Sequence, residues 1–335
     1  MALLLAQCIP AAPPAGQDSA TRSTVSMPVL GLVFDSARGV RAVLGIPGAA
    51  VLGEPFEFPF EIRSAAVSPR QDYILVLAGE ERECHLLRFD SQGGKAERIS
   101  EVAPGATRVL LSPSGAAAAL YREADGLIQV ITGLPEAPAM HWRSTASGAP
   151  LAAMALSDDG ETLLAASAGE PPLTWVLGAG GGARPVPVGP ASGMAFRGQS
   201  RDAAVITADG TVWFLRDVNG AAEYRVVAGP DARFAGAEAV ALSEDGARIF
   251  LASRSGTVAF LRLDGTATDT GHCRCAPSGL HPLNRAGLFR LNEPSRQPLM
   301  LWDAGAGPPR FWFVPPDQPP ASTAAGHPDA TRDRP

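Results

Sequence analysis

Apolar residues in this chain come in runs of five to seven, separated by short polar stretches rich in Gly, Pro, Asp and Ser. Runs of that length made of Val, Leu, Ile, Phe and Ala read as β-strands, and the polar stretches between them as tight turns. Five segments repeat one spelling, an apolar pair, then Ser-Pro or Ser-acid, then Gly, then a second apolar run. They occupy residues 66–77, 110–120, 155–165, 195–206 and 241–251. Their anchor positions are Ser68, Ser112, Ser157, Arg197 and Ser243, with spacings of 44, 45, 40 and 46 residues. A period of 40–46 residues with several strands in each copy is the signature of β-propeller blades.

In the clearest copy the strands can be placed one by one. Ala239 to Ser243 is the first, Glu244-Asp245-Gly246 the turn, and Arg248 to Ser253 the second. A turn at Arg254-Ser255-Gly256 leads to a third strand, Thr257 to Leu263, and Asp264-Gly265 turns into a fourth. Hairpins this short exclude parallel βαβ units, which need crossovers of a dozen or more residues. A sixth copy runs through Ser278–Leu283, Gly287–Leu291, Pro298–Trp302 and Arg310–Val314. A seventh, degenerate copy takes Pro28–Asp35, Val40–Gly45 and Ala50–Phe60. The expected fold is all-β, a single propeller over residues 28–314 with seven four-stranded blades, six being the alternative. The first copy is short, with Phe34 only 33 residues from Val67. It is either an incomplete blade or a lender of strands to the last one, which would close the ring and hide its edges. Residues 1–27 read as a partial export signal or disordered leader, and 315–335 as a disordered Pro-rich tail.

Composition agrees with a folded, turn-rich chain. Of 335 residues, 46% are hydrophobic and 19% charged, with 36 Gly and 31 Pro. A net charge of −6 argues against nucleic-acid binding, which needs a basic footprint. Lys95 is the sole lysine, which leaves little room for Schiff-base or P-loop chemistry. No stretch of 18 apolar residues exists, so no membrane span is expected. Met1 to Ala6 reads MALLLA, the apolar part of a secretory signal without its basic start, and Leu5-Ala6-Gln7-Cys8 resembles a lipoprotein box in which Gln7 replaces a small residue. Export to the periplasm or outside is the preferred reading, a cytoplasmic protein the alternative. Four cysteines are too few for a disulfide-built scaffold.

The stretch from Leu242 to Leu261, LSEDGARIFLASRSGTVAFL, resembles the blades of YVTN-type and WD-repeat-like bacterial propellers, and the resemblance extends over residues 28–314. The Tyr-Val-Thr-Asn spelling and the Gly-His and Trp-Asp pairs of WD repeats are absent. The resemblance implies binding or scaffolding, often in exported proteins, with some enzymes among the members; fold alone does not choose.

Candidate chemistry is sparse. Gly178-Ala-Gly-Gly-Gly-Ala183 has the spelling of a dinucleotide loop, but Arg184-Pro-Val-Pro-Val188 follows where a helix N-terminus is required, so a blade turn is the reading. His272, Cys273, Cys275 and His281 fall within ten residues. They could bind a soft metal, although the spacing is poor for zinc. Cys273 and Cys275 share a strand face and could instead form a small-ring disulfide, pack as reduced thiols, or act in redox chemistry. Cys84 and His85 are adjacent on a strand and therefore point to opposite faces, which suits a structural thiol better than a nucleophile–base pair. Asp158-Asp159, Glu244-Asp245, Glu80-Glu81 and Glu83 lie in turns without a calcium-loop spelling. Trp302, Phe311, Trp312 and Phe313 should split between core and surface. The expected function is a non-catalytic, monomeric propeller that binds a protein or small ligand on one face without a cofactor. The alternative is a propeller lactonase or hydrolase with its site at the central channel, which has only three Asn and five His to draw on. A third reading is a redox or metal-handling protein centred on Cys273 and Cys275.

Overall fold

The repeated serine has a direct structural cause. Ser157 Oγ donates to Asp159 Oδ1 at 2.5 Å and accepts the Thr162 N–H at 3.0 Å. Ser243 does the same with Asp245 at 2.5 Å and the Arg248 N–H at 2.9 Å. Each hydroxyl thus locks the tight turn between the first and second strands of its copy, a local side-chain-to-backbone device that favours turns over regular structure.

In a computed structural model of the chain, which describes residues 27–90, 93–146, 149–264, 268–294, 297–305 and 308–316, the strands form seven antiparallel sheets. The leader of residues 1–27 and the tail of 315–335 lie almost wholly outside the described residues. Blade 1 contains β1 (Val29–Asp35), β2 (Gly39–Ile46) and β3 (Ala49–Pro55). Blade 2 contains β4 (Ile62–Val67), β5 (Tyr73–Ala78), β6 (Glu83–Asp90) and β7 (Gly93–Arg98). Blade 3 contains β8 (Arg108–Leu111), β9 (Ala117–Arg122), β10 (Leu127–Thr132) and β11 (Ala139–Thr145). Blade 4 contains β12 (Leu151–Leu156), β13 (Thr162–Ser167), β14 (Thr174–Gly178) and β15 (Ala183–Pro185). Blade 5 contains β16 (Ala191–Phe196), β17 (Ala203–Thr207), β18 (Val212–Arg216) and β19 (Glu223–Ala228). Blade 6 contains β20 (Ala239–Leu242), β21 (Arg248–Ala252), β22 (Thr257–Arg262) and β23 (Thr268–His272). Blade 7 contains β24 (His281–Leu283), β25 (Arg285–Arg290), β26 (Leu299–Asp303) and β27 (Arg310–Val314). Strands follow chain order within each antiparallel sheet.

The burial of each strand follows from its place in the blade. The second strand has a neighbouring blade on both faces, so it reads as an unbroken apolar run; β5, YILVLA, is buried at every residue. The fourth strand lies on the rim, and β7, GGKAER, is mostly exposed. Alanine packs the tightest contacts, with Ala117, Ala118 and Ala119 wholly buried in β9. Register shifts occur near the start of the first strand in blades 1, 2, 4 and 5, where bulges add local twist beside the axis.

Seven apolar clusters fill the seven junctions between neighbouring blades. The last of them joins blade 7 to blade 1 through Leu30, Val33, Val43, Leu283, Leu299 and Leu301. Blade 1 is thus an incomplete blade of three strands among the described residues, and it lends none to blade 7. The ring closes by packing and by a clasp instead of by a shared sheet. Gln71, in the first turn of blade 2, accepts the Leu32 N–H at 2.6 Å and donates to the Pro282 carbonyl at 2.6 Å. One amide therefore joins blades 1, 2 and 7. Asn284 N donates to the Leu30 carbonyl at 2.8 Å across the same seam.

Candidate functional site

Antiparallel strands in chain order put the first turn of every blade, and the third turn of each four-stranded one, at one end of the propeller. The second turns and the connections between blades lie at the other. At the first end, acidic and polar turn residues are tied to neighbouring blades. The Asp158 carboxylate accepts the Ser114 N–H at 2.7 Å and the Gln199 N–H at 2.6 Å, bridging blades 3, 4 and 5. Arg201 lies 3.7 Å from Asp159 in the next blade, and the Tyr73 hydroxyl donates to the Gly115 carbonyl. Hydrogen bonds from Ser157 and the Glu161 N–H hold the Asp159 carboxyl below its usual range, although burial, the largest single influence, works the other way. For Asp245 the Ser243 hydroxyl is the main cause of a lowered value.

At the second end, a cleft of about 540 Å³ opens between blades 6 and 7. His272, at the end of β23, and Cys273, Arg274 and Cys275, in the connection to β24, form one wall; Ser255 and Met300 face it. Cys273 and Cys275 are joined as a disulfide with only Arg274 between them. Cys273 is buried in the junction with Phe250, Phe289 and Trp302, and Cys275 is partly exposed. With both sulfurs bonded to each other, neither is available as a thiolate ligand. His281, nine residues on from His272, does not line the cleft. Among the described residues no group of three or more His, Cys, Asp or Glu is placed to hold a metal ion. What the cleft offers a ligand is hydrogen-bond donation from a guanidinium and an imidazole above a disulfide.

His281 sits instead beside Arg290, its cross-strand partner. Burial holds the imidazole well below its ordinary pKa, and the guanidinium adds to this. Burial also lowers Arg290 to about 10, against the opposing pull of Glu293. In the unfolded chain the imidazole takes up a proton near pH 6.5, whereas in the folded chain it does so only at distinctly lower pH. The stability is therefore complete above about pH 6.5 and declines as the pH falls below that value, because only the unfolded state gains the proton. A His281→Gln variant is expected to flatten this decline, which urea midpoints at pH 7.5 and 5.5 for both proteins would show.

The remaining sequence candidates fall into structural places. Gly178–Ala183 forms the third turn of blade 4, with Gly181 and Gly182 at φ of 80° and 85°. It leads into β15 and lines a shallow cleft of about 470 Å³ with Glu161 and Asn219. No helix follows to present free amides to a pyrophosphate. Cys84 is buried among Leu77 and Leu86, and burial pushes its thiol up to about 12. His85 points the other way, with its ring 4.6 Å from that of Phe60 and Nε2 3.6 Å from the Glu83 carboxylate. In the last blade Trp302 is fully buried, Phe311 and Trp312 are half-buried, and Phe313 is 64% exposed. The sequence reading missed the Gln71 and Asp158 bridges, which join turns of blades that no local pattern connects. No helix is long and apolar enough to cross a membrane among the described residues.

No protein-family model matches the chain, and no curated protein sequence matches it. Solved structures do. A protein from Bacteroides fragilis assigned as a 6-phosphogluconolactonase is similar with a TM-score of 0.59 and 14% identity, over 85% of this chain and 92% of that one. A protein of unknown function from Desulfotomaculum acetoxidans is similar with a TM-score of 0.57 and 11% identity, over 87% and 100% of the two chains. The WD40 repeats of RRP9 give 0.53 and 12%, over 77% and 81%. At such identities the likeness concerns fold alone, and it defines the class. This chain is a seven-bladed β-propeller with WD40-like structural neighbours.

Proposed function

We propose that this propeller is a non-catalytic, monomeric scaffold that binds another protein, and that it works outside the cytoplasm. One observation carries the binding reading. Seven large apolar side chains are exposed among the described residues, and four of them, Met27, Val29, Ile46 and Val51, belong to blade 1 and the residues leading into it. Scattered apolar side chains on a surface need no explanation, but their concentration on one blade marks an interaction surface. The polar turn residues at the first end support the same reading, since Asp158 and Asp159 are engaged in holding blades together. The Cys273–Cys275 disulfide supports an oxidising compartment. The spelling from Leu242 to Leu261 supports a YVTN-type bacterial origin for the repeats.

Affinity capture on the immobilised protein, from an envelope extract of the native cell, tests the proposal. Wild type is expected to retain a protein that a Val29→Lys/Ile46→Lys variant releases, with the occupancy falling about tenfold on loss of a buried apolar anchor. Turnover of a lactone or ester panel, with no protein retained, would replace the scaffold by the hydrolase alternative at the channel.

A further inference from the structure

Blade 1 differs from its six neighbours in more than strand count. Every fourth strand carries at least one charged residue, from Arg184 in the short β15 to Glu223 and Arg225 in β19. Charges on a rim strand keep it from pairing with other chains. The outermost strand of blade 1 confines such protection to its last two residues, Glu54 and Pro55. From Ala49 to Gly53, β3 reads AAVLG, the composition of an inner strand. No backbone hydrogen bond reaches its outer edge among the described residues. It is nonetheless held firmly, because it pairs with β2 along its length and the Gly53 carbonyl accepts the buried Arg41 Nε–H at 2.7 Å. Val29, Leu44 and Val51 lie opposite one another across the three strands, so an apolar row runs outward and ends at the open edge. Val51 is 47% exposed at that end and Ile46 60%.

We propose that the edge of β3 takes its fourth strand from a partner protein, as an extended segment with alternating apolar and basic residues. This deepens the protein-binding reading and rests on it. Main-chain hydrogen bonds to β3 would supply the affinity, and alternate side chains would continue the Val29–Leu44–Val51 row. Charge decides the rest of the partner's chemistry. Glu54 in β3 and Glu57 two residues past its end are both exposed, and neither is in an ion pair among the described residues, so a lysine or arginine at that end of the incoming strand meets acidic surface. An acidic segment would meet repulsion there.

The probe is a synthetic octapeptide of valine alternating with lysine and threonine, used with the full chain. Hydrogen exchange followed by mass spectrometry should show the β3 amides that face away from β2 exchanging fast in the free protein and slowing once the octapeptide is added. Fluorescence anisotropy should show binding that weakens about tenfold or more in a Val51→Lys variant and for an octapeptide N-methylated at alternate amides, as expected when backbone pairing supplies the affinity. The exposed position of Val51 leaves the fold intact, which an unchanged thermal midpoint of the variant verifies. Slow exchange of those outward-facing amides in the free protein would overturn the proposal, because the chain itself or a second copy would then hold the edge. Equal binding of the N-methylated peptide, equal binding by Val51→Lys, or no binding at all would overturn it too. Affinity capture that still succeeds in those cases keeps the scaffold reading and moves its site elsewhere.

Discussion

Replacing Trp302 with alanine is expected to destabilise the protein by about 3–5 kcal/mol, the range for emptying a large aromatic site in a packed core. Trp302 is fully buried at the junction of blades 6 and 7. Its ring centroid lies 5.8 Å from those of both Phe250 and Phe289, edge-on to the first and tilted on the second, and the two phenylalanines are 5.0 Å apart. Removing the indole takes away the common neighbour of two rings that belong to different blades, so the cavity cannot close without moving a blade. A second variant separates packing from polarity. Trp302 Nε1 is buried with no hydrogen-bond partner among the described residues, and an unpaired buried donor carries a desolvation penalty of about 1–3 kcal/mol. Trp302→Phe removes that donor while keeping an aromatic ring, so it should lose less than half as much stability as Trp302→Ala. Denaturant unfolding of the three proteins measures both differences. Equal losses would show that the indole's extra volume, not its position between the rings, governs this junction.

Gln71→Ala is expected to weaken the ring at its closing seam, by about 2–4 kcal/mol for two backbone groups left without their partner. The Leu32 N–H and the Pro282 carbonyl are held by the same side-chain amide, each at 2.6 Å. Gln71 also stands at a φ of 62°, in the left-handed region that β-branched residues avoid, so Ala is a better probe than Val or Thr. The loss should be local. Hydrogen exchange is expected to rise first along β1 and β24 on the two sides of the seam, well before the blade 3–4 junction responds. A uniform rise over all blades would mean that the clasp is one stabilising contact among many and not the closure of the ring.

How much of this was legible beforehand differs between residues. The middle strands were placed almost residue for residue. Arg248 to Ser253 and Thr257 to Leu263 became β21 (Arg248–Ala252) and β22 (Thr257–Arg262), and Arg310–Val314 became β27 unchanged. Their apolar runs are set by burial between blades and their ends by turn residues such as Gly246, both of which are local. First and fourth strands were less well marked. The Ser278–Leu283 stretch shortens to β24 (His281–Leu283), and Ala50–Phe60 stops as a strand at Pro55. Phe56, Phe58 and Phe60 leave the sheet to pack beside blade 2, where Phe56 meets Phe89 at 4.7 Å. The candidate site was hardly legible. The sequence brings His272 and His281 within ten residues, but a turn of chain puts one on a cleft wall and the other on β24, half-buried beside Arg290.

Sequence alone determined the repeat, its period and the class of fold, because strand burial and turn chemistry are written within some 45 residues of each other, whereas the choice of seven blades over six came from the structure. Tertiary structure decided how the ring closes, through the blade 7–1 junction and the Gln71 clasp, which joins residues 39 and 211 positions apart. It decided too that, among the described residues, blade 1 ends at an open edge. A strand such as AAVLG has the same composition whether it lies inside a sheet or at its rim. Only the packing of the whole ring reveals which neighbour it lacks.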